Sequence, residues 1–442
     1  MCFSQEVVSV CPVFWGKAAL RLAEAQSVLK VVVGKIREFL GKKVYFCAML
    51  RAFKYCLYPT APQQIALAQH FGCVRWVYNW GLNKRKEAFE QRGESLSCNA
   101  LITELPTLKK SDETAWLSEV YSQTLQSSLR NLDSAYKRFF KAKKGFPRFK
   151  SKHDRQSCQF PQGVSVLWEA NTLEFPKIGA VNAVLHRAFE GKIKTVTISK
   201  TPTNKYFASV LVETTEEIPA KAPREESSTI GIDVGLKDFA TLSTGEKIAN
   251  PKHLKKSLKR LKYLQYKHSK KAKSGKNREK ARKRLAKRYE KVTNQRNDFL
   301  HKVSTRIVRE NQTVCVENLN IAGMMKNHNL AQAIGDVSWS KFLTMLEYKC
   351  AWSGKTFVQI GCFEPSSKQC PCGKRNDALT LSDRTWRCEC GLEHDRDILA
   401  ACNIKAFGLK KMSNNVGQEL PELTLGESVS TRGDVEPRSP RL

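Results

Sequence analysis

Three carboxylates stand at positions where a carboxylate is costly. Asp233 interrupts the apolar run Ile230-Gly231-Ile232-Asp233-Val234-Gly235, Glu317 follows Val314-Cys315-Val316, and Asp397 opens a helical stretch in His394-Asp395-Arg396-Asp397. Burying a carboxylate is expensive unless a cation or a metal ion balances it. Three that converge could hold two divalent ions, and such a pair activates a water and stabilises the leaving oxygen in phosphodiester hydrolysis. Each alone has an ordinary reading. Asp397 could cap its helix, Asp233 could sit in a turn, and Glu317 could pair with a surface lysine. Asp395 is the alternative to Asp397, because the run offers two carboxylates and only the fold decides between them.

A second constellation lies between Glu317 and Asp397. Cys370-Pro371-Cys372-Gly373 and Cys388-Glu389-Cys390-Gly391 are two close cysteine pairs, each followed by a glycine that lets the backbone turn. Zinc takes four such soft ligands in a tetrahedron. Both pairs are C-x-C, one residue shorter than the usual zinc-ribbon spacing, which predicts strain; Cys362, His394 and Cys402 are the substitute ligands. The fifteen cysteines have no framework spacing and residues 1–48 read as a poor secretory signal, so reduced thiols and a metal site are expected rather than disulfides.

The charge names the partner class. Among 442 residues, 75 Lys and Arg face 42 Asp and Glu, a net charge of +33. A chain so basic resists compaction until polyanions neutralise it, so nucleic acid is the natural partner. No run of apolar residues is long enough to span a bilayer, and no membrane partner is expected. Residues 252–291 hold 19 basic residues against Glu279 and Glu290. A merely solvated helix face would mix signs, so this segment reads as phosphate-facing, with Lys255, Lys256, Lys259 and Arg260 as its representatives. Around Tyr136-Lys137-Arg138-Phe139-Phe140 and Gly145-Phe146-Pro147-Arg148-Phe149-Lys150, rings alternate with cations. That mixture suits base stacking and phosphate contact, with Arg148 and Lys150 on the backbone; the alternative is that Phe139 and Phe140 face a core.

The elements that must position these residues follow from periodicity. A strand is expected at 51–58, helices at 63–92 and 115–142, and a strand-rich stretch at 157–213 that includes a hairpin turning at Thr201–Lys205. A linker covers 214–228. Strands at 230–235 and 237–243 precede a basic helical hairpin, 252–291, broken at Ser274-Gly275. A buried strand at 312–319, a helix at 338–353 and a strand at 355–362 lead to the cysteines. A last helix, 397–407, is expected to stop at Gly408, with a disordered tail beyond Lys411.

In combination and in order, Gly231-Ile-Asp-Val-Gly-Leu-Lys-Asp-Phe-Ala-Thr241, Val316-Glu-Asn-Leu319, the cysteine pairs with His394-Asp-Arg-Asp397, Phe53-Lys-Tyr-Cys-Leu-Tyr-Pro-Thr60 and Gly145-Phe-Pro-Arg-Phe-Lys150 resemble the TnpB family. Its members are insertion-sequence proteins of the OrfB transposase type, understood as RNA-guided DNA endonucleases related to type V CRISPR effectors. The resemblance runs from Met49 to about Leu409. It implies an α+β multidomain fold: a wedge-like β-barrel (49–60 plus 157–215) with an inserted helical recognition domain (61–156), then an RNase-H-like (RuvC) α/β domain (229–368 plus 393–410) with an inserted zinc ribbon (369–392), and a tail (411–442). It implies Asp233, Glu317 and Asp397 as a catalytic triad binding two magnesium ions. It implies one structural zinc on Cys370, Cys372, Cys388 and Cys390. Guide RNA and target DNA are the implied partners, with the basic hairpin along their heteroduplex, and the cytoplasm is the implied location. Three departures bear on this: Leu399 where the family has Asn, the short cysteine spacing, and residues 1–48, which have no counterpart and are expected to be dispensable for folding and binding. A nuclease-impaired regulator of the same family and a DNA strand-transfer recombinase are the competing readings.

Overall fold

A computed structural model of the chain describes residues 49–142, 145–214, 219, 225–380 and 382–414. The expectations for residues 1–48, for most of the linker at 214–228 and for the tail after residue 414 lie outside the described residues. Strand β1 (Met49–Tyr58) buries Phe53, Tyr55 and Leu57 on one face, the period-two pattern of a half-buried strand. Helix α1 (Ala61–Arg92) starts where the Thr60 amide donates to the Gln63 side chain at 3.0 Å, with Pro62 in the first turn. It ends at Gly93, whose φ of +67° only glycine adopts cheaply. Then come α2 (Cys98–Lys110), a 3-10 turn at Asp112–Ser118, and α3 (Ser122–Ala142). Leu125, Leu129 and Leu132 line the buried stripe of α3, and the Ser128 hydroxyl donates to the Val74 carbonyl at 2.6 Å.

Strands β2 (Gln156–Phe160), β3 (Ser165–Leu167), β4 (Thr172–Phe175), β5 (Gly179–Val184), β6 (Lys192–Lys200) and β7 (Tyr206–Thr214) join β1 in a seven-stranded sheet. Its order is β2-β6-β7-β1-β5-β4-β3, so the first strand in sequence lies at the centre. The expected barrel is realised in part: among the described residues the sheet is a curled half-barrel with β2 and β3 at its ends. Helices lie against β2: Arg75 of α1 and Asn131 of α3 bond the side chains of Gln156 and Gln159. Sheet and helices share one core that includes Tyr55, Leu67, Leu101, Leu125, Phe160 and Phe175.

The second sheet is built from β8 (Thr229–Val234), β9 (Asp238–Leu242) and β10 (Lys247–Ala249), then β11 (Thr313–Val316) and β12 (Thr356–Gln359). Its order is β10-β9-β8-β11-β12. β8, β11 and β12 run parallel; β9 pairs antiparallel with β8, and β10 antiparallel with β9. The basic hairpin, α4 (His253–Ser269) and α5 (Lys276–Glu310), precedes β11; α6 (Ile321–Met324), α7 (His328–Val337) and α8 (Trp339–Trp352) follow it. β13 (Thr385–Arg387) and β14 (Glu393–Asp395) pair beside the cysteines, and α9 (Arg396–Asn414) follows.

A parallel sheet must be covered on both faces, and residue parity assigns the faces. Ile230, Ile232, Val314 and Val316 pack with Leu300, Ile307, Phe342 and Leu346 of α5 and α8. Cys315 packs instead with Ile404 of α9. Gly231 and Cys315 lie on the α9 face, and because side chains alternate along a strand, Asp233 and Glu317 project to that same face.

Two close approaches seat α9 on the sheet. A Cβ on Gly231 would lie 2.1 Å from the Ala401 carbonyl oxygen, and one on Gly408 would lie 2.3 Å from the Cys315 sulfur. Gly408 therefore does not stop the helix as expected; it is an interior packing residue, and α9 continues to Asn414.

Candidate active site

Parallel pairing aligns Val316 with Ile232, so the next residues, Glu317 and Asp233, stand side by side at the carboxyl ends of neighbouring strands. Strand spacing puts their backbones about 4.8 Å apart. Asp397 comes to them on the first turn of α9, held close by the Gly231–Ala401 contact. Burial, reinforced by the charges of Glu317 and then Asp397, pushes the Asp233 carboxyl up to about 8. The three carboxylates that sequence singled out thus share one electrostatic site, and each is half-buried.

Asp395 is resolved by its contacts. Its Oδ1 accepts the amides of Asp397 and Ile398 at 3.0 and 3.1 Å, and its Oδ2 takes the Lys247 ammonium at 2.6 Å. Although burial alone would raise it, that lysine and the two amides hold the Asp395 carboxyl below the usual range. Asp395 is the helix cap, which leaves Asp397 free of that duty. Two neighbours had no signal in the sequence: the Ser366 hydroxyl, which donates to Glu317 Oε1, and the Arg384 guanidinium, 3.7 Å from Asp397.

The cysteine pairs form two matching knuckles. The Cys370 amide donates to the Lys374 carbonyl and the Cys388 amide to the Leu392 carbonyl; Gly373 and Gly391 both adopt a φ of +91°. The four sulfurs all lie within 4.8 Å of one another, with Cys370–Cys390 at 3.7 Å and Cys372–Cys388 at 3.6 Å. Zinc–sulfur bonds of about 2.3 Å require sulfurs about 3.8 Å apart in a tetrahedron, so the donor set fits. Despite the C-x-C spacing, all four sulfurs gather at one point, each pair followed by a glycine of positive φ. The Lys374 amide, donating to Cys372, pulls that thiol below its ordinary value, whereas burial pushes the Cys370 thiol up to about 12 and, despite the Cys390 amide, raises that of Cys388. His394 Nε2 lies 3.1 Å from the Cys370 sulfur, outside the four-sulfur set. Leu399 packs with Cys370, Trp386 and Cys388, so its side chain serves this small core.

The basic residues occupy two surfaces. Lys255, Lys256, Lys259 and Arg260 are all exposed along one side of α4. Both glutamates of the hairpin are paired, Glu279 with Arg282 and Glu290 with Lys205. Replacing the four by glutamine should weaken nucleic-acid binding on every sequence alike. The slope of log K against log salt should fall by roughly 3. An unchanged slope would make this a solvated face.

On the second surface, Phe140 is 72% exposed, and Phe146 and Phe149 are exposed as well. Phe139 meets Phe140 and Phe146 edge-on at 5.1 and 5.3 Å, so the rings form a surface cluster rather than a core. Arg148 is exposed beside them. Lys150 is reachable by solvent, yet its ammonium sits 3.8 Å over the Tyr78 ring, and desolvation lowers it to about 8.

Comparison with known proteins agrees with this architecture. Residues 209–328 match the model of the OrfB family of IS605, described as "Probable transposase"; residues 49–94 match its helix-turn-helix domain, and residues 339–404 match the Cas12f1-like TNB domain. A Streptomyces pristinaespiralis protein named "Putative RNA-guided DNA endonuclease" is 44% identical, over 81% of this chain and 89% of its own length. An Escherichia coli K12 protein with the same title, InsQ, is 29% identical over 81% and 92%. Among solved structures, the Cas12f1 chain in a complex with guide RNA and target DNA matches with a TM-score of 0.50 at 14% identity, covering 81% of this chain and 98% of that one. The likeness to Cas12f1 is one of fold. The chain belongs to the IS605 OrfB family, the TnpB-like proteins.

Proposed function

We propose that this protein is an RNA-guided DNA endonuclease that hydrolyses phosphodiesters at the Asp233–Glu317–Asp397 site. The observation that carries the reading is the convergence of three carboxylates at two strand ends and a helix start, in a chain of net charge +33. The β10-β9-β8-β11-β12 sheet supports an RNase-H-like domain. The donor set suits magnesium, which prefers a few carboxylate oxygens and keeps several waters. Burial first, and then the charges of Glu317 and Asp397, push Asp233 up to about 8, and a divalent ion bound there would offset both. Two magnesium ions bound there would supply an activated water and stabilise the leaving oxygen.

The chain's own residues set the geometry. Strand ends and a helix start are rigid platforms. Lys247 and the α9 amides occupy Asp395, keeping it out of the site. The Arg384 guanidinium is placed to meet a phosphate beside Asp397. Cys370, Cys372, Cys388 and Cys390 are the ligands for one structural zinc. The exposed α4 cations and the ring cluster with Arg148 would carry guide RNA and target DNA.

The test is purification with the flanking locus, sequencing of bound RNA, and a magnesium-dependent cleavage assay on matched DNA. Free ends at a guide-matched site are expected. Joined products would favour strand transfer, and binding without cleavage would favour a regulator.

A further inference from the structure

We infer that Ser366 is a positioning residue for the Glu317 carboxylate, and that Asn403 anchors it to the helix that carries Asp397. This rests on the site proposed above. Glu317 follows the last residue of β11, and its side chain has three rotatable bonds beyond a fixed backbone. The Ser366 hydroxyl donates to Glu317 Oε1. Ser366 is only 7% exposed, so no bulk water replaces that donor. A carboxylate held at one oxygen presents the other in a defined direction, which a ligand to a small, strictly octahedral ion needs.

Ser366 is itself held. The Asn403 side-chain amide donates to the Ser366 carbonyl and to the Gln369 carbonyl, both at 2.7 Å. Asn403 is buried at 8% exposure, and these two bonds use both amide hydrogens. It lies on α9 with Asp397. One side chain therefore fixes the loop that orients Glu317 to the element that supplies the third carboxylate. Gln369 immediately precedes Cys370, so the same amide also ties the first cysteine knuckle to the carboxylate site. A wholly structural role would predict lost stability without a change in ion affinity. A positioning role predicts the reverse.

The experiment titrates the full chain with manganese(II), followed by electron paramagnetic resonance, with Asp233→Ala marking the site-specific component. Ser366→Ala should weaken that component roughly tenfold or more, the usual effect of removing a partner that orients a metal ligand. The magnesium needed for half-maximal cleavage should rise in parallel. Ser366→Thr, which keeps the hydroxyl, should restore both. Ser366→Cys, close to serine in size, should behave like Ala, and it serves as the test should Ala melt early. Manganese affinity unchanged in Ser366→Ala or Ser366→Cys overturns the inference while leaving the active site standing. No Asp233-dependent manganese in the wild type would overturn the site itself.

Discussion

Asp233→Asn should melt several degrees above the wild type in the absence of divalent ions near neutral pH, and it should cleave no DNA. The Asp233 carboxyl is pushed up to about 8 in the folded protein, against about 3.9 in an unfolded chain. Between those values the unfolded chain has released a proton that the folded chain retains. Folding stability from this group is therefore full below about pH 4 and is lost as pH rises towards 8. Each unit in that window costs at most about 1.4 kcal/mol. Allowing for water reaching a half-buried group, the cost near pH 7 is about 2 to 3 kcal/mol. Asparagine keeps the shape and removes the cost, so its advantage should shrink on acidification to about pH 5. Saturating magnesium should close the gap from the other side, because binding stabilises only the wild type. RNA and DNA binding should survive, since it rests on dispersed cations such as those of α4. Thermal melts across pH, with and without magnesium, read the first effect, and a cleavage assay reads the second. An Asp233→Asn protein that cuts at the wild-type rate would falsify the nuclease assignment.

That conflict between burial and charge explains why the three carboxylates were legible in the sequence. Carboxylates in or beside Val and Ile runs conflict with their surroundings, and such conflicts concentrate at functional sites. Parity does the rest: residues 231, 233, 315 and 317 share a face, which α9 covers. The cysteine pairs were legible because the motif is local. What sequence could not show were contacts with no periodicity behind them. Ser366 and Arg384 sit in irregular segments, and their partners are 49 and 13 residues away. The choice between Asp395 and Asp397 needed the helix start, where two amides and Lys247 claim Asp395. α2 went unseen because Pro106 lies inside it, against the rule that proline breaks helices. Gly408 misled in the opposite sense: the glycine that suggested a helix end is there so that α9 can touch Cys315.

Removing zinc should disable cleavage without unfolding the nuclease sheet. The cysteine segment has too little core to stand alone. β13 and β14 are three residues each, and the buried cluster is Cys370, Trp386, Cys388 and Leu399. A structural zinc contributes on the order of 10 kcal/mol to such a fold, far more than these side chains can supply. The segment also reaches the carboxylates by three routes. Arg384 approaches Asp397, Leu399 belongs to α9, and Asn403 grips Gln369 next to Cys370. Chelation, or the double change Cys372→Ser and Cys390→Ser, should thus release one zinc per chain and abolish hydrogen-exchange protection across 369–395. Cleavage should fall by at least tenfold. Protection in β8 and β11 should persist, because their packing against α5 and α8 does not involve the cysteines. Returning zinc to the chelated protein should restore activity; the double variant should not recover. Metal analysis finding no zinc in carefully purified, active protein would show that the two knuckles hold their shape by hydrogen bonds and glycine turns alone.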